Sequence, residues 1–136
     1  MVNLEKTLQE LERSDWGEPT FDSHLVRTIH HIRRVPLKDW TPEDFRIAIG
    51  QKMSLPILIP LALNLLENEP LVRGDYYDGD LLVQVFSCRD EIVQDKAMMK
   101  RATLVGEKAA RQISAREHPE HYDDVSAKIA MFNGII

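Results

Sequence analysis

The chain has 136 residues, a length that suits one domain of about 100–200 residues and buries roughly two-thirds of the surface its unfolded form exposes. Apolar residues make up 43% and charged residues 29%, which argues against a wholly disordered chain and lets a core form without metal or disulfide staples. Lys and Arg number 17 against 22 Asp and Glu, a net charge of −5; this balance weighs against nucleic acid as a partner and favours a basic protein surface.

Other features narrow the class. The one cysteine, Cys88, forms no internal disulfide and fits a reducing compartment. Residues Met1 to Lys6 lack the apolar core of a secretion signal. The longest apolar run, Leu55 to Leu63, carries Pro56 and Pro60. It is far shorter than the roughly 20 residues of a membrane span, so it belongs to the core. The expectation is a soluble, cytoplasmic protein with one helical domain over residues 1–136 and no membrane partner.

In chain order, Leu4, Leu8 and Leu11 share a helical stripe with Asn3 as N-cap. Ser14 to Pro19 is turn chemistry. A second helix starts at Asp22 or Ser23, with Leu25, Ile29 and Ile32 as its stripe and Pro36 as its stop. Thr41-Pro42-Glu43-Asp44 is a strong helix start: a cap, a proline in the first turn and two acids at the positive end of the dipole. Phe45, Ala48 and Ile49 should face inward. After Ser54 comes the central helix, with Leu58, Leu61, Ala62, Leu65 and Leu66 on a wide apolar face. Pro60 has no amide to donate, so this helix should begin near Ile59 or kink there. Glu69-Pro70 closes it. Leu71 to Gly79 is a loop, and Asp80 can cap the next segment. Leu81 to Phe86 fits a helix, with a short strand as the alternative. One long helix should run from Arg89 to Ala115, and a last one from about Tyr122 to Phe132, ended by Asn133-Gly134. Strand signals are few, so the fold class is all-α, a compact multi-helix bundle.

The charge is uneven. Residues 67–95 hold eight acids and two bases, net −6; residues 96–116 hold six bases and one acid, net +5. One reading is a solvated acidic loop beside a solvated basic helix, free to pair with each other. The other is an acidic patch that recognises a basic partner, with Tyr76 and Tyr77 adding aromatic contact area.

Tests for catalytic and metal motifs come out negative. Counted from Asp78 or Asp80, the ligand positions of a calcium loop are not filled. His30 and His31 are neighbours and do not share a helix face. His118 and His121, either side of Pro119, read as surface residues. Cys88 beside Phe86 reads as a buried, inert thiol. There is no glycine-rich phosphate loop, no Gly-x-Ser-x-Gly and no HExxH. Hence no catalytic, cofactor-binding or metal-ligating residue is assigned, and the chain is read as no enzyme. A helical adaptor or regulator that binds a basic protein is one function consistent with these features; a small hydrolase using Asp and His is a weaker competitor.

A set of phrases points more sharply. These are Leu8-Gln9-Glu10-Leu11-Glu12, Asp15-Trp16-Gly17-Glu18-Pro19, His31-Ile32-Arg33-Arg34-Val35-Pro36-Leu37, Glu43-Asp44-Phe45-Arg46-Ile47-Ala48-Ile49-Gly50-Gln51, Leu58-Ile59-Pro60-Leu61-Ala62-Leu63, and then Pro70-Leu71, Gly74-Asp75, Tyr77 and Gly79-Asp80-Leu81-Leu82. Their order and spacing over roughly residues 4–86 resemble the bacterial immunity proteins of contact-dependent growth inhibition systems (CdiI-type). The resemblance implies a cytoplasmic protein without a cofactor. Such a protein binds and neutralises the C-terminal toxin domain, often a nuclease, of a large surface exoprotein from a neighbouring cell. A nuclease presents a basic cleft to its substrate, so an acidic inhibitor complements it. Trp16, Gly17, Gly50, Gln51, Pro60 and Gly79 read as architectural. The candidate toxin-binding residues are Glu67, Glu69, Asp75, Tyr76, Tyr77, Asp78, Asp90 and Glu91.

Overall fold

The structure is a computed structural model that describes residues 2–18 and 23–134. Among these residues it has eight α-helices: α1 Leu8–Glu12, α2 His24–Ile32, α3 Pro42–Gly50, α4 Leu55–Asn68, α5 Asp80–Phe86, α6 Arg89–Ile92, α7 Lys96–Ser114 and α8 Asp123–Phe132. Short 3-10 turns, Leu37–Asp39 and Pro119–Tyr122, precede α3 and α8. The isolated bridge Arg73–Asp78 is the β pairing among the described residues. The all-α expectation holds.

The caps explain most boundaries. Thr41 accepts from the Asp44 amide while the Asp44 carboxylate accepts from the Thr41 amide, a reciprocal box that starts α3 where the sequence places it. Ser23 caps α2 through the Val26 amide; the rival start, Asp22, lies outside the described residues, as does Pro19. Near the N-terminus the expectation fails. Asn3 caps no helix, and its side chain accepts from the Glu5 amide in a turn. The helix starts later, behind Thr7, which forms its own box with Glu10.

Helix α4 is the central one, but it starts at Leu55 and runs through Pro60. The missing proline amide and the ring clash cost about 3 kcal/mol. Burial outweighs that: Leu55, Leu58, Ile59, Ala62, Leu63 and Leu66 all sit in the core, and each large side chain contributes about 1.5–3 kcal/mol. Arg101 of α7 also donates to the Pro60 carbonyl at 3.2 Å and to Asn64 Oδ1 at 2.7 Å.

The region 81–115 departs from expectation in two ways. Leu81 to Phe86 is helical, not a strand. The pattern from Arg89 to Ala115 is two helices rather than one, because Asp95 accepts from the amides of Ala97 and Met98 and restarts the chain as α7. The inner faces of α5 and α8 meet through Phe86 and Phe132, whose rings stack at 4.1 Å between centroids. Gly106 of α7 lies against Phe86, where an added Cβ would be 3.4 Å from the ring. Cys88 is 1% exposed, and burial pushes its thiol above the ordinary value, in keeping with an inert core residue.

Candidate functional site

The loop between α4 and α5 carries the candidate site. Its backbone closes on itself: the Gly79 amide donates to the Val72 carbonyl at 3.3 Å, and Arg73 donates through Nη2 to the Tyr76 carbonyl at 3.0 Å. Gly79 makes the final turn at φ +94°, where a side chain would be strained.

Two carboxylates then pin the loop to the body. Asp80 is 3% exposed. Its side chain does not cap α5; Gly79 is the cap residue. The Asp80 carboxylate instead turns back and accepts from the Gly74 amide at 2.6 Å and the Tyr76 amide at 3.0 Å. Glu43 of α3 accepts from the Asp75 amide at 2.9 Å through the same oxygen that takes Arg46 Nε at 2.6 Å. A second bond joins Arg46 Nη2 to Glu43 Oε2. Arg46 Nε is also 3.9 Å from Asp80. The hydrogen bond from Arg46, opposed by burial and helped by the Asp75 amide, holds the Glu43 carboxyl below its ordinary range. The guanidinium therefore sits between two carboxylates and stacks on the Tyr76 ring at 4.4 Å.

The result is a ridge. Tyr76 is 66% exposed and Tyr77 42%, so neither packs into the core. Asp75 and Asp78 flank them. On one side lies a groove of about 340 Å³ lined by Leu25, Glu43, Arg46, Asp75 and Tyr76. On the other lies a cavity of about 380 Å³ lined by Arg73, Tyr77, Asp78, Tyr122 and Asp124. Tyr122 donates its hydroxyl to Asp78 at 3.4 Å. Burial, then the charges of Asp80 and Asp124, raise the Tyr77 phenol above its ordinary value, so at neutral pH it remains a neutral donor.

The eight candidate residues thus fall in three places. Asp75, Tyr76, Tyr77 and Asp78 share the ridge. Glu67 is engaged within the chain: Arg101 pairs with it at 2.8 Å, and that hydrogen bond leads in holding its carboxyl low. Lys108 donates to the Glu67 backbone carbonyl at 2.9 Å, so at this end of α4 the basic helix does pair with the acidic segment. Glu69 is exposed beside it. Asp90 and Glu91 are exposed on α6, where Glu91 borders a cavity with Leu55 and Pro56 at the start of α4. Glu67 lies eleven residues beyond Pro56, roughly 16 Å along the helix axis. Acids contiguous in sequence are therefore separated in space.

Sequence reading missed Glu43, Arg46 and Asp124. The pair Glu43–Arg46 has helical i,i+3 spacing, but nothing local links it to a loop some thirty residues away. Another exposed aromatic lies in the turn after α1. Trp16 is half-exposed and covers Arg33 at 4.1 Å. Arg33 is 2% exposed; it pairs with Glu12 at 2.6 Å and donates to the Ser14 carbonyl at 3.1 Å. Glu12 also accepts from the Ser54 hydroxyl at 2.6 Å, tying α1 and α2 to the start of α4.

The ridge presents two exposed tyrosines beside acidic side chains on a helical body. The chain matches the family of CDI immunity proteins over residues 10–102. That span is most of the chain and includes the whole ridge, and the chain belongs to this family: it is an immunity protein of contact-dependent growth inhibition, of the toxin-neutralising kind. Comparison with curated proteins finds no match, and comparison with solved structures finds none either. No helix among the described residues is long and apolar enough to cross a membrane.

Proposed function

We propose that this immunity protein acts in the cytoplasm, without turnover or cofactor, by docking the 75–78 ridge onto the basic substrate cleft of a nuclease toxin domain. The observation that carries the reading is the ridge itself, with Tyr76 and Tyr77 exposed between Asp75 and Asp78 on a backbone pinned by Asp80 and Glu43. Pre-set aromatics supply contact area at low entropic cost. Acids around them attract a cleft that must itself attract phosphate. Glu67 is occupied by Arg101, and Asp90 with Glu91 lies on a separate helix; these three contribute less to docking than the ridge does.

The test is co-purification with the toxin domain encoded beside this protein, followed by association kinetics at low salt. Asp75→Lys with Asp78→Lys should slow association about tenfold, an effect that fades as salt screens it. Asp90→Lys with Glu91→Lys should change it little. The opposite ranking would move the interface to α6. A toxin domain without nuclease activity would refute the nuclease assignment while leaving the interface open to the same kinetic test.

A further inference from the structure

We propose that His118, Glu120 and His121 form a site for one zinc-type divalent ion on the turn that leads into α8. Their three ligand atoms lie within 4.8 Å of one another. A tetrahedral ion with bonds of about 2.0–2.2 Å holds such atoms roughly 3.3–3.5 Å apart, so the side chains draw together by at most about 1.5 Å on binding. His118 Nδ1 is 3.0 Å from Glu120 Oε1, and the two imidazoles stack with centroids 4.9 Å apart, so the rings turn on binding to aim both nitrogens at one ion.

The backbone holds these donors in place. Pro119 opens a 3-10 turn over Pro119–Tyr122, and the His121 amide donates to the His118 carbonyl at 3.1 Å. The three residues are exposed, so an ion enters freely and little desolvation opposes it. The nearby charge is acidic on balance: residues 116–124 contain Glu117, Glu120, Asp123 and Asp124 against Arg116, with Arg73 across the cavity that His121 lines. Two imidazoles with one carboxylate suit zinc, whereas magnesium and calcium prefer all-oxygen sets. Three protein ligands leave a fourth position for water or for a side chain brought by a partner. His121 also lines the cavity beside Tyr77 and Asp78, so the bound ion would border the ridge. The site stands on these residues and is independent of the toxin's identity.

The test is calorimetric titration of the full, untagged chain with zinc chloride at pH 7.5, with magnesium chloride as the comparison. One saturable zinc site per chain is expected, with no saturable magnesium binding. His121→Ala and Glu120→Gln should each weaken zinc binding about tenfold or more, since each removes one of three ligands; circular dichroism checks that both variants stay folded. Absence of saturable zinc binding, equal affinity for magnesium, or unchanged affinity in either variant would overturn the proposal.

Discussion

Replacing Asp80 by alanine removes the acceptor for two loop amides, Gly74 and Tyr76, at 2.6 and 3.0 Å. Hydrogen bonds to a charged acceptor contribute about 1.5–3 kcal/mol each. Neither amide belongs to a fully buried residue, so water recovers part of the loss once the loop lifts. Arg46 keeps its two bonds to Glu43 and is not stranded. The net cost of Asp80→Ala should therefore be about 2–4 kcal/mol, below the simple sum of the two bonds. Asp80→Asn keeps one acceptor but turns an amino group toward the other amide, so it should lose more than half of that. Urea unfolding measures the cost, and amide hydrogen exchange localises it. Protection at Gly74 and Tyr76 should collapse while Leu58 and Leu63 in α4 lose only the global difference. Unchanged protection at both loop amides, with a cost under about 0.5 kcal/mol, would refute the claim that this carboxylate holds the ridge.

Two other outcomes follow from the same region. Gly79→Ala should cost about 2 kcal/mol: the backbone sits at φ +94° and the new Cβ would be 3.1 Å from Val125 Cγ2. Val125 is itself buried, so Val125→Ala opens a cavity of its own; thermal melts of both single variants and the double one should show the pair costing less than the sum, because the crowding but not the backbone strain is relieved. Glu43 sets a pH dependence. Its folded carboxyl releases its proton more readily than the unfolded one, so its contribution is complete above about 4.5 and is lost as pH falls through the lower folded value. Glu43→Gln should be less stable at neutral pH and show a shallower acid limb; parallel limbs would show that Glu43 is not responsible.

What the sequence discloses about this fold depends on how local the cause is. Thr41-Pro42 and Ser23 write their helix starts in adjacent residues, and both are found where the pattern puts them. Asp80 shows the limit. An aspartate after Gly79 reads as a cap, yet its oxygens serve amides four and six residues upstream. Pro60 does not set the helix start: its local penalty is real, but six core side chains on the same helix overrule it. The break at Asp95 has no proline or glycine beside it to mark it. Of the candidate site, the aromatic and acidic loop is legible as composition, because Tyr76 and Tyr77 stand between Asp75 and Asp78 in the chain. The sorting of its neighbours is not, since Glu67 meets Arg101 thirty-four residues away and Asp90 and Glu91 are carried off on α6.

Helix α5 has two duties at opposite ends. Its first residue, Asp80, anchors the ridge, and its last, Phe86, stacks on Phe132 of α8. Helix α8 and all but the first turns of α7 lie past the segment shared with the family. The 71–79 loop and the tail therefore bear on the same seven-residue helix, so truncating Phe132 should loosen α5 at the end opposite the loop.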